Sequence, residues 1–167
     1  MARFKVYNGP MPTTASFAAV TTGTNIKTLM QLKPFNTGVC HGWGISFDGF
    51  TAAAGVECEL LDTGTVFATV TAYADADFYQ TGGSDAAAAS VAGFTLGTSA
   101  SGYTASAEGT ITATHLYDVQ FVSPTNQYLI QFPLGREAFQ MVIGRSYRIR
   151  VKAGTAVNAI CYMDIET

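Results

Sequence analysis

The sequence predicts an all-β protein, a single-domain β-sandwich, and three observations support that prediction. The length of 167 residues suits one domain. Short runs of residues alternate between apolar and polar or small, which is typical of half-buried strands. Clusters of Gly, Pro, Asn and Asp separate those runs at regular spacing, and no long helical pattern interrupts them. About eight to ten strands are expected, and a jelly roll is the predicted arrangement.

Residues 39–61 give the clearest strand signal. Two apolar faces are predicted there, one formed by Trp43, Ile45 and Phe47 and the other by Val56, Cys58 and Leu60. Small residues and an Asp-Gly turn separate the two runs, so they are predicted to be neighbouring antiparallel strands. The single Trp of the chain is expected in the core.

The N-terminal region, residues 1–14, is predicted to be a strand followed by a Pro-punctuated arm, with residues 15–167 forming the sandwich. The first strand alternates charged and apolar side chains and stops at Asn8 and Gly9. Two alternatives remain open: an arm reaching to a neighbouring subunit, or an edge strand of the same subunit. On the first alternative, the candidate partner-contact residues are Arg3, Phe4, Lys5, Val6, Tyr7, Pro10 and Met11.

The middle of the chain contains two predicted strands and a long loop. Residues 26–33 are predicted to be a strand, and residues 65–73 a central strand or one covered by a partner. Residues 81–109 are low in complexity, so a long interaction loop is expected, with a short helix capped at Ser84 and ending near Gly93. Three further candidate partner-contact residues would anchor this loop: Phe94, Leu96 and Tyr103.

The C-terminal third is predicted to contain strands within residues 110–122, 127–132, 139–143, 146–152 and 155–166. In the fourth of these, Arg148, Arg150 and Lys152 share one face. This face is expected to meet acids on a neighbour, to contact an anionic surface weakly, or simply to be a solvated strand face.

Composition points to a protein that contacts other proteins. Charged residues make up 13% of the chain, against about 25% in typical domains. A large protein-covered surface explains this deficit, and so does a β-domain with Thr on its outer faces. The net charge of −3 and the lack of a basic patch argue against nucleic acid. No membrane segment or signal peptide is expected, and the three cysteines are predicted to be buried thiols, with a Cys40–Cys58 bridge left open.

The sequence predicts no catalytic residue, no cofactor site and no metal site. His41 and Cys40 are adjacent on a strand, so their side chains should point to opposite faces. Asp75 and Asp77 lack the spacing of a calcium loop, even with Asp62 or Asp85 added. The pair of Glu57 and Glu59 is expected on an exposed polar face rather than in a glycosidase cleft.

Several strings resemble a family found in tailed bacteriophages of actinobacteria: RFKVYNGPMPTT, WGISFDG, TGTVFATVTAY, ASGYTASAEGT, SPTNQYLIQFPLGRE and RIRVKAGTAVNAICY. They extend from Arg3 to Tyr162 and are least distinctive within residues 78–97. The family consists of head decoration or minor capsid proteins. This chain departs from many members by His41 before the Gly-Trp pair and by Cys40.

The resemblance implies a jelly-roll-like trimer on the outside of an icosahedral head, bound to the major capsid protein shell, and no catalytic position to carry over. The protein is therefore expected to be a non-enzymatic structural virion protein, made in the host cytoplasm, that cements the capsid. A module of the virion that binds host glycan is the alternative, and a glycan hydrolase is the third hypothesis.

Overall fold

The computed structural model describes residues 2–11, 15–49, 54–81, 92–109, 112–133 and 139–167. Within them lie thirteen strands and one short 3-10 helix (Asp75–Asp77). The strands are β1 (Arg3–Tyr7), β2 (Val20–Thr21), β3 (Lys27–Leu32), β4 (Gly38–Phe47), β5 (Val56–Asp62), β6 (Thr69–Ala72), β7 (Tyr79–Gln80), β8 (Gly102–Ala107), β9 (His115–Val122), β10 (Gln127–Gln131), β11 (Phe139–Met141), β12 (Tyr147–Lys152) and β13 (Asn158–Glu166).

The strands form two antiparallel sheets that pack against each other. The seven-stranded sheet has the order β10-β4-β13-β1-β7, with β11 also paired to β4 and β2 to β13. The six-stranded sheet has the order β6-β8-β3-β12-β5-β9. The predicted all-β sandwich is confirmed, and the jelly-roll connectivity stays a prediction.

One hydrophobic core lies between the sheets. Trp43 is fully buried in it, as predicted, and Ile45 is 1% exposed. The last strand contributes the face predicted from its alternation, with Ala159, Cys161, Met163 and Ile165 all buried. Apolar burial of this kind contributes about 25 cal/mol per Å² of apolar surface.

All three cysteines are buried free thiols. Cys40 and Cys161 lie on the seven-stranded sheet, whereas Cys58 lies on β5 of the six-stranded sheet. The bridge between Cys40 and Cys58 that the sequence left open is therefore not formed.

The prediction that β4 and β5 are hydrogen-bonded neighbours is wrong. β4 pairs with β10, β11 and β13, while β5 pairs with β12 and β9 in the other sheet. Both strands turn their predicted apolar faces to the same core, but from opposite sides. Alternation fixes which face is buried and carries no information about the lateral partner.

Of the two alternatives that the sequence left open for the N-terminal region, the structure has a strand of the same subunit for residues 3–7, although not at the edge of its sheet. β1 lies within the seven-stranded sheet between β13 and β7. Beyond it, the buried Asn8 side chain donates to the carbonyl of Ala159 over 3.1 Å and accepts from the amide of Cys161 over 2.9 Å. The start of the chain is thus part of the sandwich, and the predicted boundary at residue 14 does not separate two units there. Residues 12–14 lie outside the described residues.

The predicted loop over residues 81–109 is partly a strand. β8 (Gly102–Ala107) lies between β6 and β3, away from the edge of its sheet. Its small residues allow close approach: a Cβ on Gly102 would collide with the carbonyl oxygen of Thr71. The helix predicted to begin near Ser84 falls outside the described residues, although Gly93 has the positive φ of +73° typical of a helix end.

The strand predicted over residues 65–73 is shorter and lies at an edge. β6 begins at Thr69 and, within the described ranges, pairs only with β8, so the predicted central position is wrong and the alternative of a strand covered by a partner stays a prediction. A turn at Gly64, with a φ of +65°, precedes it. The Val66 carbonyl beyond this turn accepts hydrogen bonds from Thr63 and Arg148.

Candidate partner-contact surfaces

The pleat of β1 divides the N-terminal candidates into two groups. Phe4 and Val6 are fully buried in the core of their own subunit, so they are not available to a partner. Arg3, Lys5 and Tyr7 point to the other side, which is the outer face of the seven-stranded sheet. Only the second group remains a set of candidate contact residues.

The candidate contact residues outside β1 differ in their exposure. Pro10 is exposed, whereas the Met11 amide donates to the buried carboxylate of Asp77 over 2.7 Å. Phe94 is 2% exposed, and its ring stacks on Phe78 in the core. Leu96 and Tyr103 are partly buried against the same core. Phe94, Leu96 and Tyr103 therefore anchor their segment to the body of the protein.

A cross-strand row of residues crosses the outer face of the seven-stranded sheet. Leu129 on β10 is opposite Gly44 on β4, Gly44 is opposite Tyr162 on β13, and Tyr162 is opposite Tyr7 on β1. We call these four residues the outer row. Phe17 continues it, with its ring centroid 5.6 Å from that of Tyr7.

The outer row has low relief because glycine occupies its second position. A Cβ on Gly44 would lie 2.7 Å from Cε1 of Tyr162 and 2.8 Å from Cδ2 of Leu129. These two side chains therefore lie over the Gly44 backbone and fill the space above it. Leu129 is 55% exposed, so the row presents apolar surface to solvent.

The charged side chains of Arg3, Asp164 and Lys5, beside the outer row, each have a partner. The Arg3 guanidinium donates from Nε and Nη2 to the two carboxylate oxygens of Asp164, over 2.8 and 2.7 Å. The Lys5 ammonium lies 4.5 Å from the centroid of the Tyr162 ring, a cation–π contact. The face thus combines aromatic, apolar and locally neutralised groups.

His41 lies at one end of this face. The register between β4 and β13 shifts at Asp164, so His41 occupies a bulge there. Its Nε2 atom is 2.6 Å from a carboxylate oxygen of Glu166. The adjacent Cys40 is buried in the core, where loss of hydration raises the pKa of its thiol to about 12. The two side chains point to opposite faces and form no nucleophilic pair.

The acidic residues considered for calcium have other partners. The Asp77 carboxylate caps its own 3-10 turn by accepting from the Ala74 amide over 2.8 Å. The Asp62 carboxylate accepts from Nε of Arg145 over 2.6 Å. Among the residues that the structure describes, no group of three His, Cys, Asp or Glu side chains is placed to hold a metal ion. Asp85 lies outside that part of the chain.

The basic stripe on β12 is not a solvated face, contrary to the prediction. Arg148 is fully buried and Arg150 is 5% exposed. The Arg148 guanidinium donates to the carbonyl of Val66 over 2.6 Å and lies 3.6 Å from the Glu108 carboxylate. Segments beside Val66 and Glu108 cover this part of the six-stranded sheet, so the side chains on its outer face are buried here. Loss of hydration lowers the pKa of Arg148 to about 10.

The strand β9 carries exposed apolar side chains that the sequence analysis missed. Leu116, Val119 and Phe121 are 48%, 42% and 76% exposed, and we call them the β9 row. They lie on the outer face because their partners on β5 are Leu61, Glu59 and Glu57, which alternate with the core residues. The available signal was the run of apolar and aromatic residues over 116–122, from which exposure cannot be deduced.

A carboxylate links the two sheets beside β9. Asp118 accepts from Nε1 of Trp43 over 3.0 Å, from the Tyr128 hydroxyl over 2.9 Å and from the Gln120 amide over 3.0 Å. Burial raises the pKa of Tyr128 to about 12, and the hydrogen bond to Asp118 is the second largest cause. The free edges of β9 and β10 therefore lie on one side of the sandwich, where the hydrogen bonds of Asp118 connect the two sheets.

No family model, curated protein or solved structure matches the chain. In the part of the chain that the structure describes, no helix is long and apolar enough to span a membrane.

Proposed function

We propose that this protein is a structural component of a tailed-phage virion that decorates the outer surface of the head and cements the capsid shell. It would be made in the host cytoplasm and act without a cofactor or catalytic step. The family resemblance supports this proposal, as does the low charge content of 13%. The jelly-roll connectivity and the trimer that the resemblance implies belong to the same proposal.

The outer row is the observation that carries the proposal. It offers a low, apolar and aromatic strip across four strands, and its neighbouring charges are already paired. Burial of this aromatic and apolar area favours association, and the Arg3–Asp164 pair keeps its two hydrogen bonds when water is displaced. We assign this face to contact with the major capsid protein shell.

Cementing then follows from multiple contacts. A specific protein interface buries roughly 1,000 Å² or more. A decoration protein with several copies joined together reaches tight binding through contacts that are individually weak, because each later contact forms at high effective concentration. Neighbouring capsomers bridged in this way resist separation under the pressure of packaged DNA.

Heads produced without this protein provide a direct test of the assigned face. Purified protein is added to such heads, and the bound fraction is measured by co-sedimentation. Leu129→Lys places a charge in the outer row and is expected to weaken binding at least tenfold. Thr71→Lys is the matched control, since Thr71 is exposed on the other sheet and should bind like the unmodified chain. Equal binding by both variants contradicts the assigned face.

Binding of host glycan is the second candidate function, because aromatic rings commonly stack on sugars and Tyr7, Tyr162 and Phe17 cluster on this face. Two features weigh against it. The Tyr7 and Tyr162 rings are tilted by 53° rather than coplanar, and Lys5 lies over the Tyr162 ring. A glycan array tests this alternative: hits that Tyr7→Ala abolishes favour it, and an array without hits rejects it.

A further inference from the structure

We infer that the free edge of β9 is the surface through which two copies of this chain associate, by antiparallel pairing of β9 with its own copy. The inference goes beyond the proposed function and replaces the trimer that the resemblance implies with a two-fold dimer, while the decoration of the head does not depend on the copy number. It is measured in solution without heads, so its failure is distinguishable from failure of the proposed function.

The length of β9 sets it apart from the other sheet edges. It has eight residues and, among the residues that the structure describes, pairs only with β5. The strands at the other three ends of the two sheet paths, β6, β7 and β10, have four, two and five residues. An eight-residue strand extends about 26 Å and offers a row of backbone donors and acceptors along its free edge.

β9 carries two of the features that protect an edge strand, a bulge at Tyr117 where its register with β5 shifts and the inward-pointing charge of Asp118, and residues 118–122 lie beyond the bulge. Edge strands of monomeric proteins usually carry Lys, Pro or inward-pointing charges that prevent pairing. Asp118 is the only Asp, Glu, Lys or Arg on the strand, and no Pro occurs there. The Asp118 carboxylate already accepts three hydrogen bonds within its own subunit. On the adjacent strand, Glu59 is 2.7 Å from Arg150, so its charge is also compensated.

One register of two antiparallel β9 strands pairs residues 118–122 of each strand and keeps like charges apart. When Gln120 lies opposite its own copy, Val119 of each strand lies opposite Phe121 of the other, on the outer face. Asp118 then lies opposite Val122 rather than opposite a second carboxylate. A shift of one strand by four residues would place Asp118 opposite its own copy and bring like charges together, which is unfavourable.

The exposed apolar side chains of β9 supply part of the area that a specific contact needs. Phe121 is 76% exposed, and two such rings contribute about 300 Å² when they are covered. The remaining side chains of the two β9 rows and the two strand edges raise the area toward the order of 1,000 Å². The contact has two-fold symmetry, so it favours a dimer over the trimer that the resemblance implies.

Mass in solution tests the inference. Light scattering on the full chain is expected to give twice the 17.6 kDa chain mass. Phe121→Lys and Val119→Lys should give the monomer mass, because each buries a charge at the pairing surface. Leu129→Lys, also on an exposed apolar residue, should remain a dimer. A monomeric or trimeric unmodified chain overturns the inference, as does a dimer that persists in both β9 variants.

Cross-linking provides a second measurement that does not depend on disrupting the contact. Gln120→Cys should form a covalent dimer under mild oxidation, since the register brings the two positions together and the native thiols are buried. Leu129→Cys is the control and should stay uncoupled. Failure of Gln120→Cys to couple above that control overturns the proposed register.

Discussion

The indole of Trp43 on β4 donates a hydrogen bond over 3.0 Å to the carboxylate of Asp118 on β9, and so connects the two sheets of the sandwich. Tyr128 adds a second donor to the same oxygen over 2.9 Å. This linkage lies on the side where both sheets have a free edge, and it positions β9 relative to the core.

Loss of the Asp118 carboxylate should therefore destabilise the fold. Asp118→Ala leaves the Trp43 and Tyr128 donors without their acceptor, which costs about 1–3 kcal/mol. Asp118→Asn retains one acceptor oxygen and should cost less. Urea unfolding monitored by the fluorescence of the single Trp measures both. Equal midpoints for Asp118→Ala and the unmodified chain contradict the assigned role.

Two glycines of β4 should differ in their tolerance of a methyl group. A Cβ on Gly42 would lie 2.5 Å from the backbone oxygen of Ile130, which cannot move without displacing β10. A Cβ on Gly44 meets the side chains of Tyr162 and Leu129, which can rotate outward. Gly42→Ala is expected to cost about 1–3 kcal/mol and Gly44→Ala less. Thermal unfolding measures the order, and the reverse order contradicts this account.

Arg148 should be the most sensitive charged position on β12. Arg148→Ala removes a fully buried guanidinium and leaves Glu108 without its 3.6 Å partner, at a cost of about 3–5 kcal/mol. Lys152→Ala on the same strand is exposed and should change stability by no more than about 0.5 kcal/mol. Chemical denaturation compares the two. Similar costs for both variants would show that the Arg148 contacts contribute little.

Stability should decline in alkaline solution. Burial raises the pKa of the Cys40 and Cys58 thiols from 9.0 to about 12. Between these values the unfolded chain releases protons that the folded chain retains, so the free energy of unfolding falls as pH rises from about 9 to about 12. Denaturation midpoints across this range measure the decline. A Cys40→Ala, Cys58→Ala double variant should show a shallower decline, and an unchanged slope contradicts the contribution of these thiols.

The sequence predicted burial better than it predicted neighbours. Alternation placed Trp43 and Cys161 in the core correctly, because a half-buried strand repeats every two residues. The same alternation led to a solvated Arg148, because a second layer of chain beside Val66 and Glu108 covers that face and depends on contacts distant in sequence. The strand β1 was one of two alternatives left open, but its position between β13 and β7 was not predicted, since lateral order depends on the whole topology.

For the candidate contact surfaces too, the sequence predicted which side chains share a face but not which faces are exposed. The N-terminal strand supplied Lys5 and Tyr7 to the outer face as alternation suggests, but Phe4 and Val6 of the same strand proved internal. The β9 row was missed because Val119 and Phe121 differ from core residues only in their surroundings. Exposure of an apolar side chain at a free edge becomes apparent only when the sheets are assembled.

Cryo-electron microscopy of the source virion tests the central claim most directly. The account predicts density matching this sandwich on the outer surface of the head, with the outer row of Leu129, Gly44, Tyr162 and Tyr7 against the shell. A head surface without that density, or the same protein located in the tail, would contradict it.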